Sequence, residues 1–161
     1  MKVRAVAALS VAVLALAGCK LQHTGGSQPV TKAEAAKIAE AAEANFTTGD
    51  VKKIMAQYAD GAVMFDASHP DPSTDRKVQT GWAQAFVSMK PAEYHVPDRQ
   101  VQILGPDVFV SSGTEMYTIA SGSARPTISL RFTDVFQRQR DGSWKIVHEH
   151  LSMPPAPATQ K

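Results

Sequence analysis

Cysteine is almost absent from this chain of 161 residues, which contains only Cys19. A single cysteine cannot form an intramolecular disulfide, and it cannot supply the thiolate cluster of a structural zinc site. Disulfides and thiolate metal centres are therefore excluded as supports for the fold.

The sequence also lacks an apolar run long enough to cross a bilayer comfortably. Its N-terminal apolar stretch, Val6 to Ala17, follows two cations, which is the layout of a cleaved signal peptide. Leu16 to Cys19 resembles the bacterial lipobox, in which the cysteine becomes lipidated after cleavage. That resemblance implies a signal peptide over 1–18 and a lipoprotein anchored to the bacterial cell envelope, facing the periplasm or the exterior. An ordinary secretory signal with an unmodified Cys19 is the alternative.

No run of basic residues marks a surface for nucleic acid. The chain has 17 Lys and Arg against 15 Asp and Glu. Removing Lys2 and Arg4 with the signal peptide leaves 17 − 2 = 15 cations, which balance the 15 anions. We therefore expect no nucleic-acid partner.

The remaining chain is long enough for one domain with one core. Residues 19–30 contain GGSQP and are predicted to form a flexible tether. The domain is predicted over 31–152. Residues 153–161, which include PPAPATQK, are predicted to be a disordered tail.

The first half of the domain has helical spacing. Thr31 and Glu34 form a capping-box pattern before a helix that ends at Gly49. Asp50 is predicted to cap a short second helix that includes Tyr58. A strand over Ala62–Phe65, a loop over Asp66–Lys77 and a third helix over Val78–Met89 follow.

The second half changes to the alternating pattern of strands. Strands are predicted over 93–104, 108–119, 127–138 and 144–152, separated by Gly-containing turns. Helices followed by antiparallel strands indicate an α+β domain. We predict a cone-shaped α+β barrel, in which three N-terminal helices pack on a curved, mostly antiparallel sheet with a cavity at its open end.

Three segments resemble a known family: FTTGDVKKIMAQYADGAVMFD, TGWAQAF and RFTDVFQRQRDGSWKIVHEHLS. They are similar to a SnoaL-like domain of the nuclear-transport-factor-2-like superfamily, which includes ketosteroid isomerases, polyketide cyclases and a kinase association domain. The resemblance implies a general base at Asp66 and a second carboxylic acid at Asp134. The tyrosine that completes the isomerase oxyanion hole has no match, because Ala42 occupies its place. Steroid isomerisation itself is therefore not expected.

The turn Asp141-Gly142 sets the register of the last two strands. A two-residue type I′ turn pairs Asp134 with Glu149, Phe136 with Val147, and Phe132 with Leu151, all on the cavity side. A three-residue loop with Gly142 as a bulge would place Asp134 opposite His148 instead. We favour the two-residue turn.

In that register two carboxyl groups face each other against an apolar wall. Asp134 and Glu149 cannot both remain ionised there, so we expect them to share one proton near neutral pH. The alternative is that Arg99, Arg125 or Arg131 neutralises one of them.

His148 and His150 share one face of a strand at a spacing that some zinc enzymes use. The favoured register turns both away from the cavity, together with Ile146. The sequence indicates no third ligand, so we expect no metal ion and no cofactor.

The cavity should be lined by large residues of the helices and strands, namely Tyr58, Met64, Trp82, Phe86 and Phe132. The leading hypothesis is binding of a small, largely apolar molecule, with Asp134 and Glu149 at the polar end. An isomerase, cyclase or hydrolase with Asp66 as general base is the alternative, and it requires this carboxylate to face the cavity. A non-catalytic interaction module is a third hypothesis. We also expect a homodimer that forms through the outer face of the sheet.

Overall fold

The structure, a computed structural model, describes residues 28–155. The predicted signal peptide, Cys19, most of the tether and most of the tail lie outside these residues. Within them the chain forms three helices: α1 (Lys32–Glu43), α2 (Val51–Met55) and α3 (Arg76–Ser88). Both predicted caps are confirmed, since Thr31 and Glu34 make a reciprocal capping box and Asp50 accepts from the first turn of α2.

Six strands form one sheet in the described part of the chain: β1 (Tyr58–Phe65), β2 (Ala92–His95), β3 (Gln100–Gly105), β4 (Val108–Thr118), β5 (Thr127–Arg138) and β6 (Trp144–Ser152). Their order is β1-β6-β5-β4-β2, and β3 pairs with β4 beside β2. The β1–β6 pair is parallel, whereas the other pairs are antiparallel. Since α1 contacts β3 and β4, and α3 contacts β1, the α+β class is confirmed.

Three predicted boundaries are wrong. Helix α1 ends at Glu43 instead of continuing to Gly49, and turns follow over residues 44–47. Tyr58 begins β1 instead of ending α2. The strand predicted over 93–104 is interrupted at Asp98, whose carboxylate accepts from the backbone N–H (2.6 Å) and the hydroxyl (2.9 Å) of Thr114. Gly113 allows this approach, because a Cβ there would lie 2.9 Å from Asp98 Oδ1. β4 therefore pairs with two short strands rather than one long one.

The β5–β6 hairpin confirms the predicted pair Asp134–Glu149 and corrects the turn that produces it. The loop is the three-residue type, in which Gln139 pairs with Ser143 and Gly142 adopts a φ of 84°. This loop shifts the register by one residue, and a bulge at Val147 shifts it back. Burial explains the bulge: Ile146 points into the core with 1% exposure, although it was predicted on the outer face.

The core lies between the helices and the sheet. It extends from the first turn of α1 to β6, and Val30, inside the predicted tether, belongs to it with 6% exposure. Phe109 and Ile146 are its largest fully buried apolar side chains. The packed domain therefore begins at Val30, within the segment predicted to be a tether.

Candidate functional site

A cavity of about 260 Å³ opens between the helices and the sheet. Its wall is mainly aromatic and aliphatic, with a few polar side chains. Six of the predicted site residues line it: Tyr58, Met64, Asp66, Trp82, Phe86 and Glu149. Phe132 and Asp134 do not line it, although both are buried on the same side of β5. The cavity reaches only the earlier part of β5, where Ile128 and Leu130 contribute.

The loop after β1 is fixed to the helices by buried polar contacts. Gln79, 1% exposed on α3, donates to the carbonyl oxygens of Ala62 (2.7 Å) and Ser73 (2.9 Å). Ser73 in turn exchanges backbone hydrogen bonds with Met64. The loop therefore returns along β1 and places its first residues over the mouth of the cavity.

Asp66, His69 and Trp82 form the rim of the cavity. His69 Nδ1 lies 3.0 Å from Asp66 Oδ1, and the imidazole stacks on the Trp82 indole at a centroid distance of 4.7 Å. The backbone N–H and the hydroxyl of Ser68 also donate to Asp66 Oδ1. Partial burial opposes ionisation of this carboxyl, but the hydrogen bonds from Ser68 and His69 outweigh it and lower its pKa. Asp66 is therefore an ionised carboxylate that both caps a turn and faces the cavity.

Glu149 and Asp134 are neighbours in the interior, with 5% exposure each. The Tyr58 hydroxyl donates to Glu149 Oε2 at 2.6 Å, whereas the Asp134 side chain makes no hydrogen bond to a described residue. Burial raises the pKa of Glu149 to about 8, against the hydrogen bond from Tyr58. Burial and the charge of Glu149 raise the pKa of Asp134 well above its ordinary value. No hydrogen bond joins the two carboxyl groups within the described residues. Both pKa values are raised, which agrees with the expectation that the pair does not stay fully ionised near neutral pH.

A second carboxyl–phenol pair lies further along the wall. Tyr94 donates to Glu115 Oε2 at 2.6 Å, and Glu115 is 7% exposed. Burial raises the pKa of Glu115 to about 7, and the charges of Glu43 and Asp66 act in the same direction. Two buried acids of the cavity wall therefore titrate near neutral pH.

The arginines do not neutralise the buried acids in the predicted way. Arg99 forms a bidentate pair with Glu43 and donates to Ser111 Oγ at 2.9 Å. Arg125 and Arg131 donate to backbone carbonyls instead. Among the described residues no arginine donates to Asp134 or Glu149.

The two histidines of β6 lie on the other side of the sheet. His148 and His150 contact the ring of Phe65, with centroid distances of 5.6 and 5.2 Å, and neither lines the cavity. Across residues 28–155, no group of three or more His, Cys, Asp or Glu side chains is arranged to hold a metal ion.

Sequence reasoning missed several lining residues, above all Glu115, Tyr94 and Tyr117. A signal for two of them was present: Phe109, Ser111, Glu115 and Tyr117 occupy alternate positions of β4 and are buried on one face. Tyr94 had no comparable signal, because the break at Asp98 concealed the bounds of β2. His69 was not predicted to line the cavity, and its place there follows from the fold of the loop.

These features define a class of protein, namely an α+β domain with one face of a curved sheet covered by helices and an acid-containing apolar cavity between them. The chain belongs to the SnoaL-like domain family, whose model matches residues 35–156. No curated protein matches it.

Solved structures show the same fold. A domain from Xanthomonas campestris, provisionally assigned as a calcium/calmodulin-dependent protein kinase II association domain, is 23% identical with a TM-score of 0.71, covering 82% of this chain and 97% of its own. An NTF2-like protein of unknown function from Rhodospirillum rubrum is 24% identical with a TM-score of 0.62, covering 74% and 98%. A provisionally assigned dehydratase of the NTF2-like family from Streptomyces avermitilis is 17% identical with a TM-score of 0.62, covering 76% and 95%. At these identities the likeness extends to the fold alone.

Proposed function

We propose that this chain binds a small, largely apolar molecule in the cavity between helices and sheet. The observation that carries the proposal is a cavity of about 260 Å³ whose mostly apolar wall carries a few convergent polar groups. A dry cavity of about 150 Å³ already admits benzene, so this one has room for a larger molecule. Glu149 and Glu115, each with its phenol partner, provide the polar wall.

Native mass spectrometry of the purified full-length chain tests this function. We expect a co-purified small molecule, and we expect Ala83→Leu, which adds bulk to the cavity wall, to displace it. Ala33→Leu, an exposed position of α1, is the matched control and should retain the molecule. The proposal fails if wild type carries nothing and takes up no small apolar compound from a screen.

Catalysis is a second candidate, favoured by the position of Asp66. Its carboxylate lines the cavity, and its three side-chain hydrogen bonds all fall on Oδ1, so Oδ2 remains without a partner among the described residues. Oδ2 could act as a general base toward a carbon acid, taking a proton from the carbon beside a carbonyl group and returning it to the resulting enolate.

Proton exchange tests this activity without knowledge of the natural substrate. With phenylacetone in deuterated water, NMR should show accelerated exchange of the protons beside the carbonyl group. Asp66→Asn should abolish the acceleration, whereas Asp60→Asn, an exposed carboxylate of β1, should not. Exchange at the uncatalysed rate in wild type rejects the general-base role for this class of carbon acid.

We further propose that Cys19 is lipidated and anchors the chain to the bacterial cell envelope. The proposal is supported by Leu16 to Cys19, which lie outside the described residues. Within the described part, no helix is long and apolar enough to span a membrane. Cys19→Ala should shift the protein out of the detergent phase in a phase-partitioning experiment and change its mobility. Unchanged partitioning and mobility would exclude the anchor.

The outer face of the sheet is the surface proposed for a homodimer. Val135 is half-buried there between the exposed Thr133 and Gln137. Analytical ultracentrifugation should show a dimer for wild type and a monomer for Val135→Lys. Gln84→Lys, on an exposed position of α3, should remain dimeric. A monomeric wild type rejects this proposal.

A further inference from the structure

The charges around the cavity are unbalanced. Three acidic side chains line it, Asp66, Glu115 and Glu149, while no lysine or arginine in the described part of the chain does. His69 is the one basic side chain of the wall within 28–155, and it is held against Asp66. The charge of Arg99 lowers the pKa of Asp134, but its guanidinium is paired with Glu43.

The acidic side chains also retain unused acceptors. The hydrogen bonds of Glu115 and Glu149 fall on one oxygen each, Oε2, and those of Asp66 fall on Oδ1. The second oxygen of each carboxyl has no partner among residues 28–155. Glu115 and Glu149 are 7% and 5% exposed as residues, but their second oxygens are not among the fully buried atoms that lack a partner, so both oxygens keep some accessible surface. Acceptor oxygens that are free and accessible on the wall of an apolar cavity suit a ligand that donates hydrogen bonds.

The remainder of the wall suits a positive charge as well. Phe46 contacts Phe86 and Tyr94 at centroid distances of 5.9 and 5.3 Å, and Tyr117 contacts Phe86 at 5.3 Å and Tyr94 at 6.0 Å. The faces of aromatic rings carry negative electrostatic potential and attract ammonium groups. Aromatic rings and carboxyl groups therefore favour the same sign of charge in the same cavity.

We propose that the ligand of this cavity is an organic cation, a small apolar amine whose ammonium group donates to the carboxyl groups of the acidic wall, Glu115 or Glu149, and whose carbon skeleton packs on the aromatic wall. The inference rests on the proposed binding function and adds the chemical class of the ligand. A neutral alcohol could use the same acceptors but would leave the negative charge uncompensated. A carboxylate would add to that charge and is disfavoured.

Binding of such a cation is coupled to protons. Burial raises the pKa of Glu115 to about 7 and that of Glu149 to about 8, so both are partly protonated in the empty cavity near neutrality. An ammonium group beside them lowers both pKa values, so amine binding releases protons and its affinity rises with pH through this range. The charges of Glu43 and Asp66 raise the pKa of Glu115, and the charges of Glu115 and Asp66 raise the pKa of Glu149. Asp134 is the strand neighbour of Glu149, and the charge of Arg99 lowers the pKa of Asp134. The other titratable groups that face the two glutamates are the phenols of Tyr58, Tyr94 and Tyr117 and the imidazole of His69.

Isothermal titration calorimetry of the full-length chain with three matched compounds tests the inference. Phenethylamine, phenethyl alcohol and phenylacetate have similar size and differ in charge. We expect phenethylamine to bind about tenfold more tightly than the alcohol. This ratio corresponds to one favourable charge interaction equivalent to about one pKa unit. Phenylacetate should bind most weakly. Titrations of the amine in buffers of different ionisation enthalpy should reveal proton release.

Variants locate the effect in the cavity. Glu115→Gln and Glu149→Gln keep shape and a hydrogen-bonding group, and each should weaken the binding of phenethylamine severalfold more than the binding of phenethyl alcohol. Asp60→Asn, at an exposed position, should change neither. If circular dichroism shows that a glutamine variant is unfolded, the inference is tested on the wild type alone. The relative affinities of the three compounds and the proton release on amine binding then provide the test.

The possible results distinguish failure of the organic-cation proposal from failure of the proposed binding function. Alcohol binding as tight as amine binding overturns the organic-cation ligand and leaves a pocket for apolar molecules. Amine binding that neither glutamine variant weakens also overturns it, because the amine then binds elsewhere. If none of the three compounds binds, and the purified chain carries no small molecule, both proposals fall.

Discussion

The two halves of the helix–sheet interior contain similar residues and use them differently. In the closed half, Phe109 and Phe136 stack at 4.6 Å with nearly parallel rings, Trp144 contacts Phe109 at 5.0 Å, and Ile146 belongs to the same core with 1% exposure. In the open half, aromatic side chains contact each other around a space of about 260 Å³. Packing in the closed half removes apolar surface from water. The open half keeps apolar surface available to a bound molecule.

The boundary between the halves is polar. Ser111, with no exposed surface, lies between Phe109 and Glu115 on the inner face of β4 and accepts from Arg99. Asp134 is directly opposite Ser111 on β5. Buried polar side chains on adjacent strands therefore separate the stacked rings from the cavity. The same two strands therefore supply both halves: one part of their inner face carries stacked aromatic rings, and another part carries ionisable groups beside the cavity.

The largest effect should come from truncating the closed half. Phe109→Ala removes a ring with no exposed surface and should lower the free energy of unfolding by about 3–5 kcal/mol. Phe86→Ala, a half-buried ring of the cavity wall, should cost about 1–2 kcal/mol, since part of its surroundings is already empty. Urea denaturation of both variants measures the contrast. Equal losses would mean that the open half supports the fold as much as the closed half.

The next largest loss of stability is expected from a substitution at the polar boundary between the two halves. Arg99→Met leaves Glu43 without its bidentate partner, and both side chains are largely buried, with 13% and 10% exposure. Removing one partner of such a pair should cost about 3 kcal/mol near neutral pH. The double variant Arg99→Met/Glu43→Gln should recover part of this loss, because no uncompensated charge remains. If the double variant is no more stable than the single one, the cost is due to lost packing.

Asp134→Asn should change stability in a pH-dependent way. The folded-state pKa of Asp134 lies above its ordinary value, so the folded protein binds more protons than the unfolded chain, and this aspartate destabilises the fold increasingly as pH rises from its unfolded pKa to its folded pKa. The stability of Asp134→Asn relative to wild type should therefore increase from about pH 5 to about pH 8, by about 1.4 kcal/mol for each pKa unit of that rise. Thermal melts across this range measure it. A difference that stays constant with pH contradicts the raised pKa.

The smallest effect is expected on the open side, from Tyr94→Phe. The variant loses the hydrogen bond to Glu115 and should lose about 1 kcal/mol of stability. Because that bond lowers the pKa of Glu115, its removal should raise the pKa above about 7. Carbon-detected NMR titration of the glutamate side chains reports the change. An unaltered titration would show that the phenol does not influence this carboxyl.

The sequence carried enough information for the helix caps and for two inner-face pairs, Asp134–Glu149 and Phe132–Leu151. The caps at Thr31 and Asp50 depend on neighbouring residues only, and they formed as predicted. The pair Asp134–Glu149 was also predicted, but through a turn that the hairpin does not use. Two shifts of one residue cancel, because burying Ile146 outweighs the regularity of the ladder.

The cavity wall could be predicted only in part. Alternation assigns a residue to a face of the sheet, but it does not say how far along the strand the cavity reaches. Leu130 and Phe132 share a face of β5, and only Leu130 lines the cavity. The contact between His69 and Trp82 depends on the path of a loop, which Gln79 fixes from a helix later in the chain.

The place of β6 in the sheet has a consequence for the order of folding. β6 lies between β5 and β1, and its contact with β1 joins residues more than half the domain apart. The hairpins of β4, β5 and β6 involve short loops and can form early, whereas β1 has no neighbouring strand until β6 is in place. During synthesis, β1 therefore leaves the ribosome long before its partner, and it presents an unpaired edge that other chains could join. The sheet is complete only when β6 pairs with both β1 and β5.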